Sequence, residues 1–296
     1  MLIAMYSGIS GMSAHQTKLN VIGNNIANVN TYGFKSSRVT FSDVFYQNLQ
    51  GASQPSATSG GINSNQLGYG TKVGSIDVIN TMSGGADTGR ALDVYINGEG
   101  YLPVKGDDGV SKYTRVGNLK FDAKGNLTDA NGSYIQGFSF DATTGIKTLD
   151  AAGNPTLGNI KIPDELTAAG VPTVPPTLKQ YSGITIGSSG EITGINSAGT
   201  PEILGYLAVS KFDNVDGLSQ DGSGYDIQSK NSGQPIVTIP GTDATGTIRS
   251  GALEMSNVDL SKEFTDMIIA QRGFQANSRM ITVSDTILEE LINLKR

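Results

Sequence analysis

The side chains able to do chemistry are few and poorly grouped. His15 is the single histidine of the chain, and there is no cysteine. A histidine acting as general base needs a nucleophile at one ring nitrogen and an orienting acceptor at the other. His15 instead falls between Met12 and Leu19, beside an apolar helical stripe, and reads as structural. One imidazole without thiolates cannot build a His/Cys zinc site, and disulfides and thiolate catalysis are excluded. GGADTGRALD lacks the spacing and the lysine of a phosphate loop and reads as a turn before a strand. DNVDGLSQDGSGYD gathers Asp213, Asp216, Asp221 and Asp226 without the calcium-loop order of ligands. It reads as a solvated loop. No carboxylate spacing marks a glycosidase pair. The expectation is a protein that is not an enzyme, with no catalytic, cofactor or metal residues.

The elements that would position such groups lie mostly at the two ends. Leu2, Met5, Ile9, Met12, Gln16, Leu19, Gly23 and Ile26 recur in steps of three and four, and the pattern runs to about Asn28. At the other end Leu260, Met267, Phe274, Ile281 and Leu288 fall seven apart, flanked by Phe264, Ile268, Ile287 and Leu291. Both are long amphipathic helices of the kind that take a partner helix. Gly8, Gly11 and Gly23 interrupt the first. Each costs about 1 kcal/mol against alanine, so its order must come from packing. The second helix has Ser256 with Asp259 three residues on, a capping-box spacing with a short acid. It then runs about 40 residues without proline, roughly 60 Å, and Lys295 and Arg296 suit its C-terminal dipole.

Between the helices the pattern changes. Residues 35–72 lose helical periodicity, and GASQPSATSGGINSNQLGYG reads as an extended connector. From Val73 short alternating segments recur, with Asn97-Gly98 and Asn131-Gly132 as hairpin turns. Pro172, Pro175 and Pro176 mark an irregular loop in the weakly patterned stretch 141–205. The fold class is therefore α+β: terminal helices paired as a coiled-coil-like inner domain, with a central, turn-rich all-β domain inserted between them. The expected domains are 1–34 with 256–296, a connector over 35–72, and a β region over 73–255 in which 141–205 is variable.

Composition fits that organisation. Glycine contributes 39 of 296 residues and charged residues 16%, against norms of about 7% and about 25%. The net charge is −6 and no basic cluster exists, which disfavours nucleic acid and acidic membranes as partners. No stretch reaches the roughly 18 apolar residues of a membrane span. MLIAMYSGISGM has neither a positive n-region nor a small-residue cleavage site, so it does not read as a Sec-type signal peptide, and if the protein leaves the cell it does so by another route.

Three segments carry a family resemblance. YSGISGMSAHQTKLNVIGNNIANVNTYGFK, then TGRALDVYINGEGYLPV with YTRVGNLKFDAKGNL, then SGALEMSNVDLSKEFTDMIIAQRGFQANSRMITVSDTILEELINLKR stand in that order over about half the chain. Together they resemble the axial proteins of the bacterial flagellum, the rod and hook subunits. The wording of SNVDLSKEFTDMIIAQRGFQANS and FSDVFYQ looks most like hook proteins, particularly the short ones of Gram-positive bacteria. The connector is similar to an extra stretch of the distal rod protein. The resemblance implies a structural subunit of the flagellar hook, a self-assembling flexible tube that transmits torque, or alternatively of the distal rod. It also implies a helical inner tube with β domains outside, type III export and an extracellular place in the flagellum. The implied partners are copies of the chain itself, the distal rod, the hook cap, the hook–filament junction proteins and the export apparatus. Subunit contacts are expected at Leu2, Met5, Ile9, Met12, Leu19, Ile26, Leu260, Phe264, Met267, Phe274, Ile281, Leu288 and Leu291. A secreted β-rich binding module or enzyme with terminal dimerisation helices is the remote alternative.

Overall fold

The computed structural model describes residues 2–55, 60–106, 109–139, 157–161, 181–196, 199–242 and 244–294. Two compact units share the chain. One gathers Met1–Val29, Lys35–Ile79 and Val258–Arg296; the other holds Asn30–Phe34 and Asn80–Asn257. Central strands with a helix at each end match the expected class.

The first unit contains α1 (Leu2–Ala27), β1 (Ser37–Asp43), β2 (Tyr46–Gln50), β3 (Asn65–Gly68), β4 (Thr71–Val78) and α2 (Leu260–Asn293). The stretch read as an extended connector thus carries strands and belongs with the helices. β1 pairs antiparallel with β4 from Ser37 opposite Val78 to Asp43 opposite Thr71, with a bulge between Thr40 and Phe41. The reason lies in alternation: SRVTFSD and TKVGSIDV interleave β-branched and aromatic residues with polar ones, as a half-exposed ribbon requires. Thr40 and Ser75 join their hydroxyls across it at 2.7 Å. β2 pairs with β3, Gln47 opposite Leu67, and its side chains are exposed throughout. Asn25 fastens β1 to α1. It is buried, its amide donates to the Ser37 carbonyl at 2.8 Å, and its own oxygen accepts from the Ser37 N–H at 3.0 Å.

α2 starts one residue after its cap, and that cap is Asp259 rather than Ser256. The Asp259 carboxylate accepts from the backbone N–H of Ser261 at 2.9 Å and of Lys262 at 3.3 Å. A short acid reaches the N2 and N3 amides from the cap position itself, so the reciprocal box is not needed. Lys295 and Arg296 lie outside the described residues.

The second unit is β-rich. Its main sheet runs, neighbour to neighbour, through Ser182–Ile186, Glu191–Ile195, Pro201–Leu207, Tyr134–Ser139, Leu102–Lys105, Ser111–Thr114, Tyr225–Ile227 and Ser219–Gly222, with antiparallel pairings. Leu102, Val104, Leu119, Leu127, Ile135 and Leu207 form its fully buried centre. Four strands of this sheet start within 141–205, the fourth being Leu157–Asn159 beside Tyr134–Ser139; of that stretch residues 157–161, 181–196 and 199–205 are described, and the proline-rich loop at Pro172, Pro175 and Pro176 lies outside them. Asn131-Gly132 does turn the chain between paired strands. Asn97-Gly98 does not close a hairpin with the strand that follows: Val94–Asn97 pairs instead with Thr247–Ser250. Gly98, at φ +135°, is there because a Cβ would lie 2.5 Å from the Gly246 Cα, so the two backbones touch.

A buried ion pair anchors this unit. Arg115 and Glu254 meet at 3.3 Å with side chains 8% and 1% exposed. Arg115 also donates to the Gly98 carbonyl at 3.1 Å and stacks over Tyr101 at 5.1 Å. Burial pushes the Tyr101 phenol up to about 12 and the nearby Asp226 carboxyl up to about 6, the latter against the pull of Arg115.

Candidate assembly surface

Small and polar residues bring α1 and α2 together at several points. Gly8 faces the Asn277 carbonyl and Ile281, each 3.4 Å from where a Cβ would be. A Cβ on Gly11 would stand 2.7 Å from the Asn277 amide nitrogen, and one on Gly273 would stand 2.6 Å from two atoms of the His15 ring. Ala14 and Ala270 are buried beside them, and Ser284 turns its hydroxyl back to the Met280 carbonyl at 2.8 Å. Two of the three glycines that weaken α1 in isolation, Gly8 and Gly11, are therefore what allows the helices to approach.

Two polar pairs set the register. Lys18 Nζ lies 2.9 Å from Asp266 Oδ1, and the Asn25 amide donates to Glu263 Oε1 at 3.1 Å. Burial raises the Glu263 carboxyl, the Asn25 hydrogen bond opposing it. Gly11 with Asn277, His15 with Gly273, and Asn25 with Glu263 step in opposite directions along the two helices. The pair is antiparallel.

The expected contact residues divide. Ile281 touches α1, and Met267, Phe274 and Leu288 recur on its side of α2 half-buried. On α1, Met5, Met12, Leu19 and Ile26 are half-buried, while Ile9 is 49% exposed. They follow a stripe roughly a quarter-turn from Gly8, Gly11, His15 and Lys18, given about 100° per residue. Leu260, Phe264 and Leu291 are exposed. The side chain of Leu2 lies outside the described residues. Sequence reasoning missed Gly8, Gly11, Ala14, Asn25, Ala270, Gly273 and Asn277; the three-and-four spacing of small residues was the available signal.

α2 carries a further apolar row, of which the sequence reading named Ile287 and Leu291. Ile269, Met280, Val283, Ile287, Leu291 and Leu294 recur by threes, fours and one longer step, and are 41% to 81% exposed. Bringing such half-exposed side chains out of water is worth about 1 kcal/mol each, about 6 kcal/mol per copy before association costs. A monomer seldom leaves so long an apolar row open unless a partner covers it. Among the described residues no group of His, Cys, Asp and Glu could hold a metal, and no helix is long and apolar enough to cross a membrane.

Comparison with known proteins addresses what this surface serves. Residues 5–35 match the family model described as flagella basal body rod protein, 95–194 the flagellar hook protein FlgE/F/G D1 domain, and 249–294 the flagellar basal body rod FlgEFG protein C-terminal. The chain is 45% identical over 297 positions to the flagellar basal-body rod protein FlgG of Bacillus subtilis (strain 168), covering all of both chains. It is 34% identical over 299 positions to the FlgG of Borreliella burgdorferi, again covering all of both. To the flagellar hook protein FlgE of the same organism it is 28% identical over 442 positions, covering all of both.

Proposed function

The chain belongs to the flagellar hook and rod protein family, and from that premise we propose that it is a rod-type structural subunit that polymerises with copies of itself. The observation that carries the proposal is the apolar row Ile269–Leu294 on α2, together with Ile9 on α1, left exposed by helices already paired with each other. Their remaining faces are available to neighbouring copies. Phe264, Leu260 and Leu291, exposed on α2, belong to the same set of subunit contacts. Coiled-coil-like packing in an inner tube wall, export without signal cleavage and an extracellular place among other axial proteins go with this reading.

Between rod and hook, the similarity favours the rod. The alignments to rod proteins run 297 and 299 positions for a chain of 296 residues, whereas that to the hook protein runs 442, so the hook relative carries sequence this chain lacks. The exposed β2–β3 ribbon fits a rigid tube better than a compliant one, since a two-stranded pair needs further packing for stability and neighbouring copies would supply it. Negative-stain microscopy of concentrated protein tests the proposal. Straight, stiff tubes are expected. Curved, bending tubes would favour the hook, and monodisperse dimers that never form tubes would overturn both.

A further inference from the structure

We infer that His15 is an acid-sensitive wedge between α1 and α2, allowing the helices to close while its ring is neutral and forcing them apart once it is protonated. The ring lies on the side of α1 that meets α2, with its Cε1 and Nε2 atoms each 2.6 Å from where a Cβ on Gly273 would be. It stands edge-on to Phe41 of β1, centroids 5.6 Å apart and planes at 68°. Its Nδ1 is buried and has no hydrogen-bond partner. A neutral imidazole tolerates this by keeping its proton at Nε2 and leaving a bare lone pair at Nδ1. An imidazolium carries a proton on both nitrogens. Nδ1 would then be a charged, buried donor without an acceptor, the most costly kind of unsatisfied group.

The surrounding charges offer no relief. Lys18, one turn along α1, is a cation. Asp266 on α2 is engaged by Lys18 at 2.9 Å, and Glu263 by Asn25 at 3.1 Å. Arg272, beside Gly273, is exposed. On the β1–β4 pair Arg38 and Asp77 bridge each other at 3.6 Å, while Asp43 and Lys72 are exposed. Burial first, and the Lys18 charge second, hold the His15 ring below its ordinary 6.5. A folded-state value below the unfolded one means that the open helices take up the proton first. The α1–α2 contact therefore loses stability as pH falls below 6.5, and the loss ends once the closed pair is itself protonated. Joining of the helices within one copy would thus be set by pH, separately from whether copies assemble.

Because the chain has one histidine, its Cε1–H proton gives a single imidazole resonance. Full-length protein, kept too dilute to form tubes, is titrated from about pH 8 to about pH 5, the range of histidine switching, with the helical circular dichroism followed in parallel. The expected midpoint lies below 6.5. Helical signal and amide protection of α1 and α2 should fall with acidification, the open-to-closed ratio rising by up to about tenfold per pH unit. His15→Phe keeps a ring and removes the titration, so its helical signal should stay flat. Lys18→Met should raise the midpoint yet leave it below the ordinary value, because burial, the larger cause, remains. A wild-type midpoint at or above 6.5, or helices that hold equally across the titration, overturns the inference. If His15→Phe fails to fold, the wild-type midpoint decides alone.

Discussion

Gly23→Ala and Gly273→Ala should change the stability of the helical unit differently, although both replace a glycine inside a helix. Alanine gains about 1 kcal/mol over glycine at either position from helix propensity. At Gly23 the new methyl meets nothing within 4 Å, so the gain stands and the variant is about 1 kcal/mol more stable. At Gly273 the methyl would lie 2.6 Å from His15 Cε1 and Nε2 and 3.1 Å from Cδ2. The ring has Phe41 at its edge, 5.6 Å away between centroids, which hinders its retreat. Overpacking of this kind costs about 1–3 kcal/mol, so Gly273→Ala should range from neutral to about 2 kcal/mol less stable than wild type. Propensity cancels in the difference between the variants, leaving about 1–3 kcal/mol of packing alone. Urea unfolding followed by helical circular dichroism reads this difference, with the β unit followed separately because two units need not melt together. If both variants were stabilised by the same 1 kcal/mol or so, the close approach of α1 and α2 at Gly273 would be refuted.

Further outcomes follow from other contacts. Ile9→Asp and Ile287→Asp place a charge on exposed side chains, so the monomer should stay within about 0.5 kcal/mol of wild type while tube formation measured by sedimentation is lost; normal tubes would count against these faces as subunit contacts. Glu254→Ala strands the buried Arg115 and should cost the β unit about 3–5 kcal/mol, seen in its calorimetric transition, with the helical unit unchanged. Asp226, held up at about 6 by burial, favours folding in its neutral form. Its contribution is full below the ordinary 3.8 and is lost as pH rises from there through about 6. Asp226→Asn should abolish that slope in pH-dependent melting and leave the β unit more stable at neutral pH; an unchanged slope would show that Asp226 titrates normally.

Both helices were legible in the sequence, because Leu2–Ala27 and Leu260–Asn293 are long and their apolar spacing survives local exceptions. Which face they turn to each other was not. Periodicity weighs large apolar side chains, so it pointed to Met5, Ile9, Met12, Leu19 and Ile26 on α1. Close approaches to α2 that this pattern did not reveal run through Gly8, Gly11, His15 and Lys18. Glycine adds nothing to a hydrophobic pattern and reads as helix weakening until a partner backbone stands against it. β1 to β4 were masked for a related reason, since Ser, Thr, Asn and Gln between short alternations resemble a linker. Asn25 was equally hidden: an asparagine near a helix end reads as a terminator, and only the fold shows it bonded to both Ser37 and Glu263. Asn97-Gly98 reads as a hairpin turn, but the partner strand Thr247–Ser250 lies far along the chain, where local turn signals carry no information.

Helical reconstruction of the assembled tube by electron cryomicroscopy tests the central claim most directly, by measuring the solvent exposure of Ile9, Ile269, Met280, Val283, Ile287 and Leu291 in the polymer. These side chains are about half exposed in the single chain, and the account predicts that neighbouring copies bury them while the α1–α2 contact at Gly11, Gly273 and Asn277 persists within each copy. Tubes in which that row stays in water, with copies joined through the β units alone, would contradict it.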